Sequence, residues 1–463
     1  MNDNSNSTGI GSMLGRHKFV WLVLLPLLVF LVVAVYWGVT EWNAGWENRM
    51  QFEQLAAAGI PYDNATLQEA YDSRTHPEGT SDWLRCIEST DWCRNAEAYK
   101  KLPYLGYEGE DPKNLVPGGT PDDWPGESLV GSFLEEMEPV INLVEQASSH
   151  PNPVRFPIKF RSVDTLLPHL QSARSILRLL SLDCDYAYFN QDNQRAMRDL
   201  SLMKATGDAF DGRSCLVSEL VNLALRGIRS HAIRRTLTHS QWSAADLSNL
   251  RDSMAMQGEI SARWQELMIH ERAFGLAYAN EPAEKLAQMT DAGLRFAGLR
   301  LKLSTGPSEV KTLLEAYQRM IELPTGSDVS QWRKRSAALE EWFQTLPANS
   351  LAGMLAPATA QVLEAEIRSE EIRRWTLTAI AIQQFKLENG QWPEELTALE
   401  LVGLNYEDYS DTTNTVFGYE IEGDKVFLWK RPSEITDDSR ISKTRPVPGK
   451  ENDDLSDFVA ELN

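Results

Sequence analysis

The sequence predicts a mainly α protein: an N-terminal transmembrane helix, an exported array of antiparallel helical hairpins, and a small C-terminal module of one long helix with a β-hairpin. Three observations predict it. Residues 19–40 form an uncharged apolar run. Residues 129–323 carry apolar positions at helical spacing almost throughout. Residues 416–430 alternate apolar and polar side chains around Glu422-Gly423-Asp424. With 463 residues, 42% of them hydrophobic, the chain is long enough to bury a substantial core and to divide into about two or three units.

The apolar run is bounded by Arg16 and Lys18 before it and by Glu41 after it. At about 1.5 Å per residue a helix of this length spans the roughly 30 Å hydrocarbon layer. Pro26 is compatible with that, because transmembrane helices satisfy the carbonyl that proline frees through neighbouring groups. Trp37, Trp42 and Trp46 match an interfacial aromatic belt at the outer end. The basic flank places residues 1–18 in the cytoplasm, their first 15 a disordered tail rich in Asn, Ser and Gly, and sends the rest of the chain across the membrane. A cleaved signal peptide is the rival reading. The anchor is favoured because the run exceeds a signal core and no A-x-A site follows it.

The formal net charge of -21 argues against nucleic acid as a partner, since phosphate binding needs a basic face that releases counterions. The lipid bilayer is the expected partner, with a protein or peptide as a second. All four cysteines, Cys86, Cys93, Cys184 and Cys215, follow the anchor, and none has zinc-ligand spacing. In an oxidising compartment the economical pairing is Cys86 with Cys93 and Cys184 with Cys215. Buried free thiols are the alternative, evenly balanced for the second pair.

A juxtamembrane helix is expected to continue through NRMQFEQLAAAG, and residues 60–128, rich in Pro, Gly and Trp, read as loops, so that 41–128 forms one unit. Asn64-Ala65-Thr66 matches a glycosylation sequon, a short match that chance often supplies. The hairpin array occupies 129–356. Within it Leu166, Leu170, Ala173, Leu177, Leu180, Cys184 and Ala187 define one helix face. Ala196, Leu200, Met203 and Gly207 define a second, and Val217, Val221, Ala224 and Ile228 a third. Ser243 is placed to cap a further helix. Helices joined by short polar turns pack as antiparallel neighbours. No strict repeat length is present. The module of 357–432 has its long helix over about 357–388, a stop at Asn389-Gly390, a restart at Trp392-Pro393, and strands on either side of E-G-D. Residues 433–463 read as a flexible tail.

Phe385, Gly390, Trp392, Pro393, Leu396 and Leu399 occupy the places of a Y-x-x-x-x-G-x-[YW]-P-x-x-L-x-x-L pattern. This stretch resembles the C-terminal part of a group of membrane-anchored helical proteins that planctomycete bacteria encode in many copies. The segment RFPIKFRSVDTLLPHLQSARSILRLLSLDCDYAYFNQDNQRAMRDLSLM is similar to the same group's helical-hairpin region, which is tetratricopeptide-like. The resemblance implies a bacterial cytoplasmic-membrane location and carries no known activity. Where such proteins place D-P-F-x-G before the hairpin, this chain has DTTNTVFGYEI. Pilin-like subunits share the helix-Gly-aromatic-Pro pattern, but GRHKFVWLVLL lacks their processing site.

No residue set is expected to be catalytic, to bind a cofactor or to hold a metal. His270-Glu271 lacks the second histidine of H-E-x-x-H, because Phe274 stands there, so a core-edge histidine is the better reading. Asp183 and Asp185 point to different faces of a helix, so with Asp192 they do not form a shared metal site. Tyr186, Tyr188 and Phe189 fit hairpin packing better than ligand stacking. G-x-S-x-G, P-loop and G-x-G-x-x-G patterns are absent. The expected function is a membrane-anchored exported helical scaffold that binds protein or peptide. The alternative is an exported envelope hydrolase with a site assembled from distant residues.

Overall fold

The structure, a computed structural model, describes residues 11–93, 102, 105, 124, 126–161, 165, 167, 169–239, 242–254, 260–279, 306–323, 329–346, 350–431 and 459–462. It is mainly helical, with a small antiparallel sheet. Helix α1 (Gly11–Ala57) carries the apolar run and continues through NRMQFEQLAA, with Pro26 inside it. Its Leu25–Ala57 part is long and apolar enough to cross a membrane, with a mean hydropathy of 1.8 and no burial against the rest of the chain in its most apolar window. Arg16 and Lys18 lie on this helix, upstream of the residues whose side chains are described.

Past the apolar run α1 acquires two unlike faces. Ala44 and Asn48 are buried, whereas Trp42 and Trp46 are exposed at 74% and 58%, as Trp37 is at 54%. The buried face docks on α10 (Pro307–Ile321): Asn48 Nδ2 donates to the Pro307 carbonyl at 2.7 Å, and Lys311 pairs with Glu47 at 2.5 Å. Gly306, the N-cap of α10, has no side chain to cap with, and Glu41 takes over by accepting from the Ser308 N–H at 3.1 Å. The folded body therefore begins where the apolar segment ends.

Residues 64–93, expected as loop, form α2 (Asn64–Arg74) and α3 (Thr80–Cys93). Local capping explains the first: Asp63 accepts from the Thr66 N–H at 2.8 Å while the Thr66 hydroxyl accepts from the Asp63 N–H at 3.1 Å, so the sequon is the first turn of a helix. In α3 the buried residues Trp83, Cys86, Ile87 and Thr90 recur at helical spacing, a stripe too short to stand out from its Pro- and Gly-rich surroundings. Residues 94–101 and 106–123 lie outside the described residues.

The remaining body comprises α4 (Glu127–Ser148), α5 (His169–Phe189), α6 (Asn193–Phe210), α7 (Leu216–His239), α8 (Ala244–Ser253), α9 (Ile260–Ala279), α10, α11 (Val329–Gln344) and α12 (Leu351–Asn389). Leu170, Ala173, Leu177, Leu180, Cys184 and Ala187 of α5 are all buried as the spacing predicts; Leu166 is outside the described residues. The helix goes further than one buried face, since Ile176, Leu179 and Leu182 are buried as well, and α5 packs on both α6 and α7. Ser243 caps α8 in a capping box with Asp246. Two apolar cores result. Trp375, Leu377 and Ile380 of α12 belong to one with α3 to α8, and Val362, Leu363 and Ile367 belong to the other with α9, α10 and α11.

The expected disulfides are corrected by the structure: Cys86, Cys184 and Cys215 are buried free thiols. Cys86 and Cys93 lie on one continuous helix, where a seven-residue separation means a rise of about 10 Å, beyond what a disulfide spans. Burial pushes the Cys86 thiol up to about 12 and the Cys215 thiol up to about 11, and it raises Cys184 as well. They stay protonated and behave as small hydrophobes.

The C-terminal module follows the predicted punctuation. Gly390 terminates α12 in the left-handed region at φ 74°, its N–H bonded to the Lys386 carbonyl at 2.8 Å. Trp392 Nε1 then donates to the Asp424 carbonyl in the hairpin turn at 3.0 Å, and the Tyr419 hydroxyl donates to the Pro393 carbonyl at 2.7 Å. The restart thus clamps the hairpin of β1 (Gly418–Glu422) and β2 (Lys425–Trp429), whose register pairs Glu422 with Lys425 and Gly418 with Trp429. The tail expectation is corrected for its end: Val459–Leu462 forms β3 and pairs antiparallel with β2, covering an edge left open by a two-stranded hairpin. Residues 432–458 lie outside the described residues.

Candidate functional site

The predicted apolar face of α7 is displaced in the structure. Val217 is 56% exposed, Ala224 and Ile228 are half-buried, and Val221 alone of the four is buried. The buried face instead carries Ser218, Glu219, Asn222, Arg229, Ser230 and Thr236 beside Leu225 and Ile233. Polar residues on a buried face must find partners, and here Asn222, Arg229 and Ser230, with Leu225, line a cavity of about 120 Å³ between α6, α7, α8, α9 and α12.

One wall of the cavity is a closed ring of charge between the two apolar cores. Arg226 pairs with Glu219 at 3.1 Å and Glu366 at 3.4 Å, and Arg263 pairs with the same two carboxylates at 3.1 Å and 3.2 Å. Burial, with Glu219 adding to it, raises the pKa of Glu366, while Arg263 and Arg226 hold it down. Asp211, gripped by Arg213 at 3.1 Å and by Asn222 Nδ2 at 3.2 Å, is held below the usual carboxylate range by Arg213 against the opposing effect of burial. Glu370 is likewise held low despite its burial, by Arg373 at 2.7 Å and Arg374 at 2.8 Å. Asp208 pairs with Lys204 at 2.5 Å. Each carboxylate of the wall is therefore already engaged by a cation.

Arg229 differs. Its guanidinium is bound by the Leu200 carbonyl at 3.2 Å, the Ser253 carbonyl at 3.3 Å, the Ser253 hydroxyl and Met254 Sδ, with no carboxylate in contact among the described residues. Burial lowers its pKa to about 10, with Asp208 offsetting only part of the cost. Asn222 Oδ1, also in this wall, is a buried acceptor without a donor.

A second concavity, of about 470 Å³, opens between α4 and the α5–α6 pair. Its floor includes Leu134, Ile141 and Tyr186, and its rim carries the exposed carboxylates Glu135, Glu138 and Glu145, none with a cation against it among the described residues. Arg195 and Arg198 on the opposite side are committed to Asp183, at 2.5 Å and 2.8 Å, and Arg198 also to Asp199 at 2.9 Å.

The residues singled out from sequence take structural places. Asp183 faces α6 through these arginines, while Asp185 faces α7 through Arg235 at 2.9 Å, so the two point apart as expected. Asp192 caps α6 by accepting from the Arg195 N–H at 3.0 Å. His270 is buried with Nδ1 on the Arg213 carbonyl at 2.7 Å, and burial lowers its pKa. Glu271 accepts from the Leu216 N–H at 2.8 Å at the start of α7, and burial pushes it up to about 7. No cluster of His, Cys, Asp and Glu suited to a metal ion occurs among the described residues. The cavity residues are not legible as an apolar stripe; the usable signal is the polar set Asn222, Arg226 and Arg229, recurring on one face of α7. No family model, curated protein or solved structure matches the chain.

Proposed function

We propose that this chain is a single-pass membrane-anchored helical scaffold, its N-terminus cytoplasmic and its tetratricopeptide-like body exported, that binds a basic segment of a partner protein or peptide. The groove between α4 and α5–α6 carries this reading. Its floor includes the apolar Leu134 and Ile141, and its rim presents Glu135, Glu138 and Glu145 with no cation against them among the described residues. The exposed apolar part of α1 supports the anchor, and the resemblance of residues 349–404 to the planctomycete group supports the architecture. The hydrolase reading has less support: the carboxylates of the charged cavity face arginines or lysine, and those of the groove stand exposed along one rim.

A photo-crosslinking residue at Glu138 in intact cells tests it. The expected product is a protein crosslink that is absent from the same probe at Leu401, which is 80% exposed on the C-terminal module. The product should fall about tenfold when Glu135 and Glu145 become lysine, because the rim charge reverses. Equal labelling at both positions, or labelling indifferent to the charge reversal, removes the groove from the account.

A further inference from the structure

We propose that the charged cavity between α6, α7, α8 and α12 is a binding site for a small oxyanion, a carboxylate- or phosphate-bearing ligand, seated on Arg229 and entering past Lys204 and Arg373. The site is separate from the peptide groove.

Hydrogen-bond accounting carries the inference. A guanidinium has five N–H donors. In Arg229 the Nε takes the Leu200 carbonyl, Nη1 takes the Ser253 carbonyl and Met254 Sδ, and Nη2 takes the Ser253 hydroxyl, so one Nη2 donor is left over. The same deficit recurs on the more open side. Arg373 spends Nε and Nη2 on Glu370, with Asp408 3.7 Å from Nη2; among the described residues Nη1 has no acceptor and the Lys204 ammonium meets Asp208 alone. The carboxylates nearby cannot make good the difference. Glu370 is shared by Arg373 and Arg374, Asp211 is gripped by Arg213, and Glu366 is divided between Arg226 and Arg263. Lys204, Arg229 and Arg373, each with donors to spare, all line one cavity of about 120 Å³, whose wall also offers the Ser230 and Ser369 hydroxyls and the apolar Met203 and Leu225.

A buried cation held only by neutral oxygens and a sulfur is costly, and an anion delivered to it removes that cost. Oxyanions match the geometry: their oxygens accept from several N–H donors at once, and guanidinium groups bind them with directional, charge-assisted hydrogen bonds. The volume admits a phosphate group or a short dicarboxylate.

Isothermal titration calorimetry on the full chain in detergent, with inorganic phosphate and succinate as probes and chloride at equal ionic strength as the control, tests the assignment. A saturable heat with at least one oxyanion and none with chloride is expected. Arg229→Gln should weaken it about tenfold or more, and Lys204→Met and Arg373→Gln should each weaken it less. If circular dichroism shows that R229Q does not fold, the Lys204 and Arg373 variants decide, since both residues lie at the more exposed end. Absence of saturable heat with both oxyanions at tens of millimolar overturns the proposal. So does binding that survives unchanged in every folded variant. Because neither the anchor nor the groove takes part, these results stand or fall apart from the scaffold reading.

Discussion

Replacing Arg263 with methionine is expected to destabilise the protein by about 3–5 kcal/mol at neutral pH. Arg263 closes the ring that joins α7, α9 and α12, bridging Glu219 at 3.1 Å and Glu366 at 3.2 Å. Both glutamates are buried, and after the substitution Arg226 alone would offset two carboxylates in a low-dielectric wall. The sign of the pH dependence follows from Glu366. Its folded pKa is already above the ordinary 4.5, by burial first and by Glu219 second, and losing Arg263 raises it further. Between the unfolded and folded values the native state binds more protons than the unfolded chain, so stability falls as pH rises through that window. The deficit of R263M against the parent should therefore shrink as pH drops from about 7 toward about 5. Denaturation midpoints followed by circular dichroism at several pH values check it. The double variant R263M/E366Q should regain about 1–3 kcal/mol, the coupling expected of residues in one ionic network. A pH-independent deficit below about 1 kcal/mol would show that the ring contributes no more than a surface pair.

Gly418→Val is the second large effect. Gly418 pairs with Trp429 across the hairpin, and a Cβ at this position would lie 2.0 Å from Trp429 Cε2 and 2.3 Å from Nε1. The indole is buried, so it must leave its place or β1 must unpair. Overpacking of this kind costs about 1–3 kcal/mol or more. Its effect should be local, because Trp392 still clamps the hairpin at its turn end through Asp424. Hydrogen exchange of the β1 and β2 amides should accelerate while that of α5 stays near the parent's. Gly418→Ala should share the direction with a smaller magnitude. A variant within about 0.5 kcal/mol of the parent would mean that Trp429 repacks freely.

What the sequence disclosed and what it concealed divide along the range of the interaction. The apolar helix, the Ser243 cap, the Gly390 stop and the E-G-D turn each depend on residues within a few positions of one another, and they were legible. The burial of α5 on all sides was only half legible: its apolar face reads directly, but Asp183 and Asp185 look like solvent-facing residues until Arg195, Arg198 and Arg235 arrive from α6 and α7 to neutralise them. The charged cavity was hidden for the same reason, since Arg226 and Arg263 belong inside only because Glu219 and Glu366 meet them there. Helices α2 and α3 are masked by the Pro- and Gly-rich composition around them, although the Asp63–Thr66 capping box marks the start of the first. The disulfide expectation failed because Cys86 and Cys93 fall on one helix, which no spacing rule revealed without the helix itself.

Everything proposed for the groove and its partner requires α1 to lie in the membrane with the folded body beyond it. The direct measurement is a pair of reporters fused after Asn463, alkaline phosphatase, which is active only outside the cytoplasm, and green fluorescent protein, which fluoresces inside it. The account predicts phosphatase activity, a dark fluorescent fusion, and a full-length chain that stays in the membrane fraction at high salt. A bright fluorescent fusion with inactive phosphatase, or a chain released from the membrane by salt alone, would contradict it.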